Sequence, residues 1–153
     1  MTLKGNRGAN LLQGEALTLF ASAARTVVAG ALSTAIDLGG ERKRVVAVLD
    51  ITASATDAGD TLDVYIDWSI DNAIWYNAVH FTQKAGNTAA IREFAVLDPS
   101  NPPATVTNVT ADAASGVVRP EVFGRYIRGR YTVVEFAGVG VASHTFSLKA
   151  YAQ

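Results

Sequence analysis

The sequence predicts an all-β protein: an antiparallel β-sandwich or jelly roll of about eight or nine strands, preceded by an extended N-terminal arm. Short runs that alternate between apolar and polar residues recur along the chain, and turn-forming residues separate them. No stretch has a convincing helical period. A chain of 153 residues is one domain of ordinary size, so we assign residues 1–14 to the arm and residues 15–153 to a single domain.

The arm, "MTLKGNRGANLLQG", is predicted to be extended because three glycines interrupt any regular pattern. Fully stretched, it could reach about 45 Å at about 3.3 Å per residue. It is either a disordered tail without a function or an arm that becomes ordered on a neighbouring subunit. For the second case, the candidate contact residues are Lys4, Asn6, Arg7, Asn10, Leu11 and Leu12.

The first strands follow directly. The segment Glu15–Ala21 alternates, and Val27, Val28 and Gly30 argue against a helix in the alanine-rich stretch that comes next. The run "RVVAVLDITAS" at 44–54 is continuously apolar, which predicts a strand buried on both faces. The segment "TDAGD" at 56–60 then has the Asp and Gly chemistry of a turn.

The clearest strand signal is "TLDVYIDWS", which begins at Thr61. Its period of two places Leu62, Val64, Ile66 and Trp68 on one face and Asp63, Tyr65 and Asp67 on the other. Because Trp68 continues an aliphatic face, we expect it to pack in the core rather than to form a ligand platform.

A hairpin is predicted next, because "SIDNA" reverses the chain and "IWYNAVHFTQ" returns. In a regular strand, Trp75 and Asn77 would share one face, while Tyr76, Ala78 and His80 would share the other. Trp75 follows the turn directly and is expected near the rim of the sheet.

The remaining strands are predicted at 89–97, at 123–138 and in "SHTFSLKAYAQ" at the end. The last of these places His144, Phe146, Leu148 and Ala150 on one face. Between the first two, the segment "DPSNPPATVTNVT" is a long excursion because its prolines cannot donate to a strand ladder. Its stiff part could be presented outward as a contact site, with candidate residues Pro99, Pro102 and Pro103.

Composition excludes several classes of protein. Charged residues make up 18% of the chain, against about 25% in typical soluble domains, which suits a protein whose surface is partly covered by partners. The net charge of −1 argues against nucleic acid as a partner. No run of 18 apolar residues and no secretory signal are present, so we expect no membrane partner and synthesis in a cytoplasm.

No motif indicates an enzyme. His80 and His144 lack the spacing of a metal pair, and neither a nucleophile elbow nor a phosphate-binding loop occurs. The aspartates do not match a calcium loop, and we expect a solvated acidic face from Asp57, Asp60, Asp63, Asp67 and Asp71. We therefore predict no catalytic residues, no metal and no cofactor.

A small arginine and tyrosine ladder lies in "GRYIRGRY", where Tyr126, Arg128 and Arg130 share one strand face. These residue types are favoured at protein interfaces because they combine apolar area with directional donors. The alternative is cross-strand pairing of the two arginines with the acidic face.

Taken in order, "ALTLFASAARTVV", "TAIDLGG", "TLDVYIDWSIDNAIWYNAVHFTQ", "RPEVFGRYIRGRYTV" and "HTFSLKAYAQ" resemble the capsid decoration (cement) proteins of tailed bacteriophages, including those of thermophilic siphophages. The resemblance covers residues 15–152. It implies a homotrimer on the outer surface of the virion capsid, made in the host cytoplasm, that clamps neighbouring major capsid protein subunits and has no cofactor.

Two other classes remain open. A carbohydrate- or receptor-binding sandwich from a phage tail or an extracellular protein would need Tyr65, Trp75 and Tyr76 on one accessible surface. An enzyme on a jelly-roll scaffold would need a metal site built on its two histidines.

Overall fold

A computed structural model describes residues 14–40, 42–100, 103–136 and 140–153, and within these ranges the regular structure is entirely β. Eight strands have five residues or more: β1 (Glu15–Thr26), β2 (Val28–Leu32), β4 (Val45–Ala53), β5 (Thr61–Ser69), β6 (Trp75–His80), β8 (Ile91–Leu97), β10 (Tyr126–Val134) and β11 (Ser143–Ala152). Three more have two residues each: β3 (Ile36–Asp37), β7 (Lys84–Ala85) and β9 (Val117–Val118). The all-β prediction is confirmed.

The strands form two antiparallel sheets. The smaller has the order β1-β11-β4-β8, and the larger has the order β2-β10-β5-β6-β9, with β3 also paired to β10 and β7 to β5. Among the long strands, β1 pairs with β11, β2 with β10, β4 with β8 and β5 with β6. Each of these pairs is therefore nested in sequence within the pair before it. This order is that of a jelly roll, so the open choice between sandwich topologies is settled in its favour.

The alanine-rich stretch is where the chain changes sheets. β1 pairs with β11 in the smaller sheet, and after Val27 alone β2 pairs with β10 in the larger one. The register of β1 shifts between Thr18 and Phe20 and again between Phe20 and Ala23. Such bulges bend a strand and increase its twist, which lets it leave the plane of its sheet.

The core lies between the sheets, and Trp68 is completely buried in it, as predicted. Elsewhere in the core, the rings of Phe20, Tyr131 and Phe146 meet edge to face with centroids 5.1 to 5.9 Å apart. Gly129 leaves room for them, since a Cβ there would lie 2.6 Å from the ring of Phe20. These contacts join β1, β10 and β11 into one packed unit.

Two predictions about strand faces are wrong. In β4 the inward residues are buried, but Val46 and Val48 on the outward face are only half-buried, so the run is not covered on both sides. In β6 a bulge shifts the register, so that Asn77 lies opposite Asp67 while His80 lies opposite Tyr65. His80 therefore shares the outer face with Asn77 instead of the inner face with Tyr76.

Candidate interaction surfaces

The outer face of the larger sheet carries a polar network that is not solvated. Asp63 and Asp67 point away from the core, yet they are only 8% and 3% exposed. The predicted solvated acidic face is therefore wrong at these two positions. It is also wrong at Asp60, which is 2% exposed and accepts a hydrogen bond from the backbone N–H of Phe136 at 2.8 Å. The cover comes from residues 111–115, a segment that follows β8 and precedes β9 in the sequence. It lies over the outer face of the larger sheet and hydrogen-bonds to side chains of that sheet.

Asp67 is the centre of this network. Arg130 Nε donates to Asp67 Oδ2 at 3.1 Å, and Arg128 Nε lies 3.5 Å from the same oxygen. Arg130 also donates to Asp112 Oδ1 at 2.7 Å, which ties the covering segment to the sheet. The cross-strand pairing of the arginines with acidic residues is thus present. A buried carboxylate needs such partners because desolvation penalises an isolated charge.

The same arginines stack on aromatic rings. The guanidinium carbon of Arg128 lies 4.1 Å from the ring centroid of Trp75, and that of Arg130 lies 4.0 Å from the ring centroid of Tyr65. The Tyr65 ring also contacts a second ring, that of His80, and the two ring centroids lie 4.3 Å apart. Burial, and then the charge of Asp63, raise the pKa of the Tyr65 hydroxyl. Tyr65 is therefore enclosed, so it does not contribute to an open aromatic platform.

His80 joins the sheet to its covering segment. Its Nε2 lies 2.8 Å from Asp63 Oδ1, and its Nδ1 lies 2.8 Å from the carbonyl oxygen of Ala113. Both ring nitrogens face acceptors, so both contacts are satisfied when the ring carries two protons. Asp63 is further held by Gln83 Nε2, which donates to Oδ2 at 2.8 Å. The arrangement fixes the cover over the sheet.

The second histidine lies elsewhere. His144 is buried on the core side of β11, where burial lowers its pKa. Neither of its ring nitrogens has a hydrogen-bond partner in the part of the chain that the structure describes. The two histidines are not brought together, and among the described residues no group of three potential metal ligands occurs.

An ion pair at the end of the larger sheet gives a prediction for pH dependence. Arg125 donates through Nε and Nη2 to the two oxygens of Asp37 at 2.9 and 2.7 Å, and the Gly39 backbone N–H donates at 2.8 Å. Arg125 first, and then Gly39, lower the pKa of Asp37 from 3.8 to about 2. The folded-state pKa is depressed, so this stabilisation is present above the unfolded value and is lost as pH falls toward 2.

We expect a carboxyl titration followed by NMR to place the midpoint of Asp37 near 2. In Arg125→Met it should rise toward the ordinary value. The carboxyl of Asp71 serves as the control, since backbone N–H groups of its own loop lower its pKa and the substitution leaves these in place. An unchanged Asp37 midpoint in the variant would contradict the assignment to Arg125.

The outer face of the smaller sheet is different, because it is apolar and uncovered within the described chain. Val46 lies opposite Val96 and Tyr151, and Val48 lies opposite Phe94. The three valines are half-buried, while Phe94 and Tyr151 are 73% and 46% exposed. We call these five residues the open apolar face. Apolar residues clustered in this way on a surface mark interaction sites.

Few charges lie on or around this face. Lys149 is exposed and lies opposite Val48, on the face itself. In the next row of the sheet, Arg92 Nη2 is paired with Asp50 Oδ2 at 2.9 Å. At the other end, the backbone of Gly14 packs against the ring of Tyr151, where a Cβ would lie 2.2 Å from the ring. The chain therefore enters β1 beside the open apolar face.

The predicted contact residues have mixed positions. Pro99 is half-buried after β8 and Pro103 is exposed, while Pro102 lies outside the described residues. Tyr126, Arg128 and Arg130 are all half-buried and share one face, as predicted. The arm candidates at positions 4, 6, 7, 10, 11 and 12 lie outside the described residues. Sequence reasoning missed the open apolar face, although the continuous apolar run of β4 was its signal.

Comparison with known proteins supports the fold. No protein-family model matches the chain, and no curated protein matches it. One solved chain with a similar fold comes from the structure of infectious bursal disease virus, Gt strain, at 9% identity and a TM-score of 0.51 over 92% of this chain. The corresponding chain of the Gx strain has 10% identity and a TM-score of 0.48 over 92% of this chain.

This chain spans 31% of the length of each of those viral chains. At such low identity the likeness concerns the fold alone. Within the described residues, the structure contains no helix that could cross a membrane.

Proposed function

We propose that this chain is a structural protein of a phage virion, which binds the outside of the capsid as a homotrimer and clamps neighbouring major capsid protein subunits. The observation that carries the proposal is the open apolar face of the smaller sheet. The sequence resemblance to decoration proteins and the fold shared with a chain of a virus structure support it. The proposal assigns the chain no catalytic residues and no cofactor.

The fold alone does not select this function, since jelly rolls occur in viral capsid proteins, lectins and cupins. The surfaces do. The polar face that could offer Tyr65 to a sugar is covered, whereas Phe94 and Tyr151 are left in solvent on the outer face of the smaller sheet. An apolar face with few charges suits docking onto another protein surface. Repetition over a shell then adds many modest contacts into a strong attachment.

In this proposal the N-terminal arm extends the same contact. Gly14 lies against Tyr151, so residues 1–13 continue from the edge of the open apolar face. In the sequence, Leu11 and Leu12 come shortly before Gly14, and Lys4 and Arg7 come earlier. We propose that these residues bind a neighbouring capsid subunit. The loop at Pro99–Pro103 is a second contact segment, with the half-buried Tyr126, Arg128 and Arg130 in a lesser role.

The test is co-sedimentation with expanded capsids assembled from the major capsid protein of the same genome. Phe94→Glu should reduce binding by about tenfold or more, because it places a charge in a desolvated contact. Leu32→Glu is the matched control, since Leu32 is 52% exposed on a strand of the other sheet. Equal binding by the wild type and Phe94→Glu would remove the open apolar face from the proposal.

Deletion of residues 2–13 tests the arm separately. We expect weaker capsid binding with an unchanged unfolding transition, because the described strands begin at Glu15. The native mass of the wild-type protein, measured by light scattering, should be near three times 16.1 kDa because the proposal makes it a homotrimer. Unchanged capsid binding by the deletion variant would exclude the arm as a contact.

A further inference from the structure

Most strand edges in the described part of the protein are protected against pairing with another strand. β1 has two register shifts along its ladder, and β2 has one shift and a glycine with a left-handed φ of 69° at position 30. β3, β7 and β9 have only two residues each. Bulges and short edge strands are common means of preventing edge-to-edge association. β8 is different, because its seven residues pair with β4 in one uninterrupted register and include neither proline nor glycine.

The free side of β8 presents unpaired backbone groups. β8 is the last strand of its sheet, so only β4 forms a ladder with it in the described chain. Just beyond its end, the backbone N–H of Asp98 donates to the carbonyl oxygen of Pro120 at 3.2 Å. In an edge strand, every second residue points its N–H and C=O away from the sheet. An extended polypeptide matches the spacing of this row of donors and acceptors.

A cleft of about 320 Å³ lies beside this free edge. One of its walls consists of four consecutive residues of β8, at positions 92–95. The opposite wall consists of residues 79–82 together with Gly116 and Val118. Because consecutive residues of one strand line it, the cleft follows the direction of β8.

The side chains in the cleft define the kind of strand that fits. Phe81 and Ala95 are buried, and Val118 is half-buried, so inward side chains of an added strand meet an apolar surface. Glu93 is half-buried, and its Oε2 accepts a hydrogen bond from the backbone N–H of Thr82 at 3.0 Å. No described group donates to Glu93 Oε1. A hydroxyl or cationic side chain opposite Glu93 would therefore satisfy this carboxylate when the cleft is filled.

The far wall of the cleft favours a single extended strand as the occupant. Residues 79–82 lie opposite β8, so the space beside the edge is bounded on two sides. Strands within one sheet lie about 4.8 Å apart, so the edge of another folded sheet would bring its whole domain against this wall. A second copy meets the obstacle twice, because its own β8 has the same wall beside it.

We infer that an extended segment of a partner protein adds to β8 as a fifth strand of the smaller sheet. That this partner is the major capsid protein rests on the proposed function. The segment alternates apolar residues toward the cleft, has a hydroxyl or cationic side chain opposite Glu93, and has no proline where it pairs. On its outer side it lies beside Phe94, so the added strand and the open apolar face form one continuous contact surface.

Amide hydrogen exchange, read from peptides that cover Ile91–Leu97, tests strand addition. In the free protein, the amides on the free side of β8 should exchange rapidly. On expanded capsids their exchange should slow by about tenfold or more, because the added strand accepts their hydrogen bonds. Peptides from β2, an edge of the other sheet, should keep their rate. Slow exchange in the free protein would contradict the inference; its loss on deletion of residues 2–13 would identify the arm as occupant, and its loss on dilution a second copy.

Thr82→Trp separates strand addition from simple covering of the face, because the larger ring fills the cleft. Thr82 is exposed and bonds to Glu93 through its backbone alone, so folding is retained. Capsid binding should weaken by about tenfold or more. Thr34→Trp, at an exposed position between β2 and β3, is the matched control and should bind like the wild type.

The outcomes separate this inference from the proposed function. Capsid binding by Thr82→Trp at the wild-type level would refute strand addition. So would wild-type binding without slower exchange in β8, and both results leave the proposed function intact. A wild type that does not bind capsids at all would refute the proposed function and, with it, the identity of the partner strand.

Discussion

Replacing Asp67 by asparagine is expected to lower the free energy of unfolding by about 3 kcal/mol, because it removes one partner of a buried ion-pair network. Asp67 is 3% exposed and faces both Arg128 and Arg130. The loss of its charge leaves Arg128 without a carboxylate among its described contacts, while Arg130 keeps Asp112. The effect therefore falls at the lower end of the range for broken buried pairs. Urea unfolding at one fixed protein concentration measures it.

Asp112→Asn is the matched control for this prediction. It contacts the same Arg130 at 2.7 Å, but its side chain is 47% exposed. Exposed ion pairs contribute little, so the expected change is below about 1 kcal/mol. If both variants lost the same free energy, burial of Asp67 would not be the reason for its effect.

Trp68→Ala is expected to cost about 3–5 kcal/mol, the range for removing a large buried aromatic side chain. Trp68 is completely buried and its ring lies 4.5 Å from that of Phe123. Its loss leaves a cavity in the core, which costs free energy because packed surroundings relax only in part. Circular dichroism should follow the unfolding, since the substitution removes a fluorophore.

Trp75→Ala provides the comparison, because it removes the only other tryptophan. Trp75 is half-buried on the outer face, where it stacks under Arg128 at 4.1 Å. A stacked cation at a partly exposed ring contributes about 0.5–2 kcal/mol, so this variant should remain clearly more stable than Trp68→Ala. The reverse order would contradict the placement of Trp68 in the core.

Local pattern was enough to predict seven of the eight long strands, but not β2 (Val28–Leu32), and it predicted the core position of Trp68. The alternation of β5 placed Trp68 inside because every second side chain of a strand points to the same face. The same reasoning placed Phe146 and Leu148 of β11 on one face, and the structure buries both completely. These predictions hold because they depend only on neighbours within one strand.

The errors arose where a distant segment or an irregular strand decided the outcome. Asp63 and Asp67 were expected in water because their cover, residues 111–115, is remote in sequence and has no periodic pattern. His80 lies on the unexpected face because the bulge in β6 inserts one residue into the ladder. Neither effect leaves a signal within the affected strand.

The candidate interaction surfaces were predictable only in part. The apolar run of β4 correctly gave two apolar faces, but a sequence does not show whether the second face is covered within the chain. The structure places Val46 and Val48 in a face open to solvent, next to Phe94. The exposed Ile70 and Ile74 were not predicted because they flank a turn, where no period exists.

The pairing of the first strand with the last constrains when this protein can fold. Glu15 lies opposite Ala152, at the other end of the chain. At the usual synthesis rate of about 5–20 residues per second, β1 waits for about 7–27 s until β11 has been made. The smaller sheet is therefore completed only after β11 has been made, and until then the apolar side of β1, with Leu17 and Leu19, lacks the strand with which it pairs. Chaperone binding to nascent chains should be concentrated in this interval.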